Sequence, residues 1–153
     1  MTNVVTTASR FTDGVKKRQT VVGIIGLGYV GIPLAIAALK AKFRVIGFDI
    51  DDKRVAGLNA GTTAFKHIPT ETLRDGIKSG SFEATTDFDR LGEPDALLIA
   101  VPTPLNKYRE PDLSYVVKTT EQIGKRLRKG QLVVLESTTY PGTTDEVMRP
   151  LLE

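Results

Sequence analysis

The amino-acid sequence predicts an α/β fold, an open parallel sheet with helices on both faces, built as a single domain. Three observations carry that expectation. Short β-branched or apolar runs alternate along the chain with helical stretches. The run Asp95-Ala96-Leu97-Leu98-Ile99-Ala100-Val101 is apolar almost throughout, which is how a parallel strand covered on both faces reads. The chain has 153 residues, 41% of them hydrophobic and 25% charged, which suits one ordinary globular domain with its own core.

The elements follow in order. Residues 1–19 are polar, carry Arg10, Lys16, Lys17 and Arg18, and read as a solvated, flexible tail. Val21 to Ile25 is a buried strand that runs into glycines. Pro33 to Ala41 is rich in alanine and leucine and reads as a helix packed closely on a sheet, with proline in its first turn. Phe43 to Phe48 is a second strand, closed by Asp49, and Asp52 to Ala60 a helix stopped by Gly61. Gly61 to Pro69 is irregular. Thr70 to Ser79 reads as a helix ending at Gly80, and Glu83 to Thr86 as a short strand. After the apolar strand comes a proline-rich loop, Pro102 to Pro111. Asp112 caps a helix expected to reach Lys129, with Gly130 after it. Gln131 to Glu136 is another strand. Thr143-Thr144-Asp145-Glu146 has the form of a capping box and starts a last helix. The chain stops near the end of that helix, so it reads as a piece of a longer protein.

Gly26-Leu27-Gly28-Tyr29-Val30-Gly31 lies between the first strand and the first core helix. A G-x-G-x-x-G alone is weak, but here a strand precedes it, a helix opens from it, and an acid, Asp49, ends the next strand. Each part has a physical task in a Rossmann-type domain. Gly26 permits the tight turn, Gly28 lets backbone approach a pyrophosphate, and Gly31 lets helix and strand lie close. The helix start offers free N–H donors to an anion. Asp49 accepts from the adenosine ribose hydroxyls and repels a 2′-phosphate, which favours NAD over NADP. Arg54 sits nearby, placed for the ribose or the adenine face. The cofactor expected is therefore NAD. A turn without any ligand is the plainer reading of the glycines.

Composition excludes several classes. Net charge is only +3, and the basic residues fall into two short groups without interleaved aromatics, so nucleic acid is not an expected partner. The second group, Lys125 to Lys129, falls where cations suit the end of a helix. No apolar run approaches a membrane span, and the N-terminus lacks a signal-peptide core, so the expectation is a cytoplasmic protein without a membrane partner. With no cysteine there can be no disulfide, thiolate metal site or cysteine nucleophile in this chain, and one histidine, His67, cannot build a multi-histidine site. No metal site is expected.

Several segments together resemble the UDP-glucose/GDP-mannose dehydrogenase family over about residues 20–153. They are Gly26 to Ala35, Gly47-Phe48-Asp49-Ile50-Asp51, Val101-Pro102-Thr103-Pro104 and Glu136 to Thr144. Arg109 to Ser114 and His67-Ile68-Pro69 look most like the branch that oxidises UDP-N-acetylhexosamines, the glucosamine epimer before the mannosamine one. The resemblance implies the cofactor-binding part of an NAD-dependent nucleotide-sugar 6-dehydrogenase serving surface-polysaccharide synthesis. Such an enzyme turns a C6 alcohol into a carboxylate in two hydride transfers through a cysteine thiohemiacetal. The family draws its cysteine, lysine, asparagine and acid from segments beyond this domain, so this chain alone is expected to be inactive. Carried over residue by residue, Gly28, Tyr29, Val30 and Gly31 match the pyrophosphate turn, and Asp49 and Arg54 the ribose side. Thr103 and Thr138 match cofactor contacts, and Thr138 also helps place a water near the reacting carbon. For both threonines, hydrogen bonding to loop backbone is the plainer alternative. His67 reads as a packing or surface residue. Arg109 is left open between substrate phosphate and a partner subunit. The resemblance implies that the full-length protein is a homo-oligomer, whereas this piece is expected to be a monomer. A stand-alone NAD-sensing module and a different, hydroxyacid-type dehydrogenase remain alternatives, because fold alone does not separate them.

Overall fold

The computed structural model describes residues 6–105 and 107–153. The first five residues of the expected tail, and Asn106 of the proline-rich loop, lie outside the described residues. Five parallel strands form one sheet: β1 (Val21–Ile25), β2 (Arg44–Phe48), β3 (Phe82–Thr85), β4 (Ala96–Ile99) and β5 (Leu132–Leu135). Their spatial order is β3-β2-β1-β4-β5. The chain winds outward from β1 to β3, crosses back to lay β4 on the other side of β1, and continues to β5. The winding direction thus reverses between β1 and β4, and in open α/β sheets ligands bind in the crevice at the carboxyl ends of such strands.

Helices α2 (Gly31–Lys40), α3 (Asp52–Asn59) and α4 (Glu71–Ser79) follow β1 and β2, and α5 (Ser114–Gly124) follows β4. Because side chains alternate across a strand, neighbouring residues feed opposite cores. Ile24 and Val45 join Ile32, Leu39, Leu58 and Leu73 on one face. Ile25 and Ile46 join Ile99, Val116, Ile123 and Met148 on the other. Both layers are closed, which is why the central strands are apolar on both sides.

Four features differ from the sequence expectation. The segment read as a tail holds a helix, α1 (Thr7–Lys16), whose cap Thr6 accepts a hydrogen bond from Ser9 N at 3.2 Å. It buries no residue fully; Phe11, Gly14 and Val15, at helical spacing, are half-buried, an apolar face too short to stand out in a polar segment. Helix α5 ends at Gly124 rather than near Lys129. A Cβ on Gly124 would stand 2.5 Å from the Leu151 carbonyl oxygen, so the C-terminal segment packs directly on that turn. The basic group beyond it serves the helix end only in part: Lys125 is the cap residue and Arg126 donates to the Gln122 carbonyl of the last turn at 3.1 Å, but the group is also bound elsewhere. Arg126 pairs with Asp89, and Arg128 donates to Asp95 Oδ1 at 2.6 Å and to the Pro94 carbonyl at 2.9 Å. These ties pull residues 125–129 onto the segment before β4. Lastly, the expected capping box does not form. Thr143 donates its hydroxyl to the Tyr140 carbonyl at 2.8 Å, and Thr143–Met148 winds as π-helical turns before the short α6 (Arg149–Leu152).

Candidate functional site

The carboxyl ends of β1, β2, β4 and β5 converge on one edge. Gly26 leaves β1 with φ +92°, a left-handed conformation that favours glycine. Its N–H donates to the Phe48 carbonyl at 2.8 Å, so the turn is tied to the end of β2. A Cβ there would lie 2.6 Å from the Ala100 carbonyl oxygen, which shows how tightly the loop after β4 presses on the turn. Gly31, the first residue of α2, is equally constrained: an added Cβ would lie 1.8 Å from the Gly26 carbonyl oxygen.

Gly28 is different. An added Cβ would meet no atom within 4 Å, and its φ is not positive. The fold therefore needs glycine at 26 and 31 but has no use for it at 28. Open space over that one position fits a ligand that must come close to backbone. The donors point the same way. Among the described residues, the N–H groups of Gly28, Tyr29, Val30 and Gly31 have no acceptor, while Ile32 N already donates to the Gly28 carbonyl at 3.1 Å. Unpaired N–H groups at a helix start, with the positive end of the helix dipole behind them, suit an anion.

Asp49 is 5% exposed and fully engaged. Its Oδ2 accepts from Leu27 N at 2.8 Å and its Oδ1 from Asp51 N at 3.0 Å. Arg54 Nη1 donates to both oxygens, at 3.0 and 2.8 Å. The acid thus braces the glycine turn from below as well as standing at the end of β2. Arg54 is held on Asp49 rather than turned outward, and it covers the carboxylate from the solvent side. The tie to Leu27 N is a role the sequence reading missed, because a contact across 22 residues leaves no local signal.

The two threonines sit together. Thr103 donates its hydroxyl to the Thr138 carbonyl at 2.7 Å, and Ser137 donates to the Val101 carbonyl at 2.7 Å. The loops after β4 and β5 are thereby pinned to each other. The Thr103 hydroxyl makes the backbone bond that was its plainer reading, whereas the Thr138 side chain is exposed on the edge. His67 is exposed and stacks on Tyr29, with ring centroids 5.6 Å apart and planes 10° from parallel. Phe65 meets the same Tyr29 ring at 4.3 Å. The irregular stretch thus lies against the glycine turn, held by Ile68 in the core. The solitary aromatic Phe65 in a polar stretch was the available signal for this contact. Ile50 is 79% exposed beside Asp49, an apolar side chain left open at the same edge. Arg109, in the loop bridged by Leu105 and Pro111, is exposed with φ +63°. It is not brought to the glycine turn by any described contact. Among the described residues no group of three or more His, Cys, Asp or Glu is placed to hold a metal, and no helix is long and apolar enough to cross a membrane.

A sheet of this order, with a glycine turn at the reversal and an acid closing β2, defines a Rossmann-type dinucleotide-binding domain. The profile of the UDP-glucose/GDP-mannose dehydrogenase family, NAD binding domain, matches residues 20–153, and the chain belongs to that family as its NAD-binding domain. It is 40% identical over 131 residues to a UDP-N-acetyl-D-glucosamine 6-dehydrogenase of Salmonella typhi, covering 86% of this chain and 30% of that protein. Among solved structures it resembles a GDP-mannose dehydrogenase from Pseudomonas aeruginosa in a ternary complex, with TM-score 0.81 and 33% identity, over 86% of this chain and 31% of that one. It also resembles an NDP-N-acetyl-D-galactosaminuronic acid dehydrogenase from Methanosarcina mazei Go1, with TM-score 0.80 and 35% identity, over 94% and 33% of the two chains. The chain spans about 30% of the length of the curated relatives it matches.

Proposed function

We propose that this chain holds the NAD of a nucleotide-sugar 6-dehydrogenase that oxidises the C6 alcohol of a UDP-N-acetylhexosamine to the carboxylate, for surface-polysaccharide synthesis. The single observation that carries the reading is the turn over Gly28, with open space above the glycine and four N–H donors without acceptors around it. The relatives at about 40% identity, whose names specify amino-sugar substrates, support the substrate class.

In this reading the N–H groups of Gly28 to Gly31 hold the pyrophosphate. The Asp49 carboxylate takes the adenosine ribose hydroxyls, and Arg54 shifts from its bidentate position to make room. Ile50 flanks the adenine. Thr103 keeps the loops after β4 and β5 together, and Thr138 orients the nicotinamide end and a water near the reacting carbon. When bound, NAD supplies the hydride acceptor. The chain contains no cysteine, so in this reading the nucleophile lies outside it. In the same proposal the whole protein is a cytoplasmic homo-oligomer assembled through residues outside this chain.

Two measurements test the reading. Calorimetric titration of the chain should show NAD binding, with NADP at least about tenfold weaker because the Asp49 carboxylate repels a 2′-phosphate. No heat of binding with folded protein at millimolar NAD would end the cofactor assignment. The gene beyond codon 153 should encode a cysteine-bearing segment of the Gly-x-Cys-x-x-Lys-Asp type. A stop codon there would favour an NAD-sensing module instead.

A further inference from the structure

The amino edge of the sheet, opposite the glycine turn, carries a second cleft of about 550 Å³. One wall is the face of α1 that presents Thr7 and Arg10, and the other walls are Thr20, Asp95, Arg128 and Lys129. Its volume is within the range of small-molecule sites, about 300–1,000 Å³. We propose that this cleft binds a phosphate-bearing small molecule at a site separate from the cofactor turn.

Charge is the first argument. Asp95, the acid in the cleft, is already neutralised: Arg128 donates to its Oδ1, and its Oδ2 accepts from Val21 N at 2.9 Å. Arg128 is tied down further by the carbonyls of Gly92 and Pro94. Two cations remain. Among the described residues Arg10 and Lys129 form no ion pair, and both line the cleft, one on α1 and the other in the turn before β5. A net positive, partly enclosed polar cleft favours an anion.

The second argument is Thr20. It is only 4% exposed and lines the cleft, and among the described residues its hydroxyl has no hydrogen-bond partner. Its Oγ1 would lie 3.0 Å from a Cβ on Gly14, so α1 packs closely on the hydroxyl and only glycine fits at that position. A hydroxyl without a protein partner in a cleft that two unpaired cations also line offers a hydrogen-bond donor to an anion there. The third argument is α1 itself. It buries no residue fully, so apolar packing holds it weakly. An anion bridging Arg10 on α1 to Lys129 would fasten the helix to the sheet.

The glycine turn and this cleft lie at opposite ends of β1, about 17 Å apart for a five-residue strand. Nuclear magnetic resonance can therefore separate them in one titration of the chain, without NAD, using inorganic phosphate, pyrophosphate and a nucleoside diphosphate in parallel. Saturable shifts of the Gly14, Thr20 and Gly130 amides are expected, distinct from those of Gly28 to Gly31. Equal affinity for pyrophosphate and the nucleoside diphosphate indicates recognition of phosphate alone, and tighter binding of the latter adds the organic part. The pair Arg10→Gln and Lys129→Gln should weaken the cleft response about tenfold or more and leave the turn response unchanged. Thr20→Val, nearly isosteric, should weaken it about fivefold. Slower hydrogen exchange of α1 amides should accompany binding. Shifts confined to Gly28–Gly31, or cleft shifts that never saturate and ignore Thr20→Val, overturn the proposal.

Discussion

Replacing Gly28 and Gly31 separately by alanine should split ligand binding from folding. At 31 the new Cβ would stand 1.8 Å from the Gly26 carbonyl oxygen and 2.9 Å from its carbon. Neither backbone atom can move without opening the turn. Overpacking costs about 1–3 kcal/mol where side chains can give way, and here backbone must. Gly31→Ala should therefore lose about 3 kcal/mol or more, roughly 6–12 °C in Tm for a domain of this size. At 28 the same methyl meets nothing within 4 Å and φ is not positive. Restricting the unfolded chain there raises stability by about 0.4–1 kcal/mol. The methyl instead fills the space above the free N–H groups. Losing one charge-assisted bond to the pyrophosphate costs about 1.5–3 kcal/mol, ten- to over a hundredfold in affinity. Thermal unfolding and NAD calorimetry on both variants check the pair. If Gly28→Ala binds NAD as the parent does, the space over Gly28 is not the phosphate site.

Asp49→Ala should weaken NAD binding by about 1–3 kcal/mol and, independently, lower the urea midpoint, because Leu27 N, Asp51 N and Arg54 lose their acceptor. An unchanged midpoint would show that the brace on the turn is unimportant. Glu83 accepts from Arg90 at 2.9 and 3.0 Å and from Arg44 at 3.0 Å, and the Arg90 hydrogen bond holds its carboxyl below the ordinary 4.5. Its folded-state pKa is depressed, so its stabilisation is present above that ordinary value and is lost as pH falls through and below it. Urea unfolding across this acid range should show a decline that Glu83→Gln makes shallower, and equal slopes would remove Glu83 as a cause. The chain incubated with NAD and UDP-N-acetylglucosamine should release no UDP-sugar carboxylate, since the second hydride leaves from a thiohemiacetal and the chain contains no cysteine to form it. Carboxylate product from this chain alone would contradict that role for the missing thiol.

What the sequence determined by itself was local. The strands showed as short apolar runs, because a strand buried on both faces needs apolar residues throughout, and β1 begins and ends where the run does. Gly80 stopped α4 as expected, in a left-handed conformation that carries its own sequence mark. The G-x-G-x-x-G turn, its flanking strand and helix, and Asp49 at the end of β2 were all legible, since each is defined by neighbours within the chain. The tertiary structure decided what depends on distant partners. Helix α5 stops early because Leu151 packs on Gly124 and because Arg126 and Arg128 find Asp89 and Asp95. The capping box at Thr143 gives way to a bond with Tyr140. Phe65 and His67 reach Tyr29 only once the 61–69 stretch is folded over the turn. The same division runs through the glycines. Their spacing announced a phosphate turn, but only packing distances show that the fold demands glycine at 26 and 31 and leaves 28 open, because a steric requirement is a property of neighbours in space.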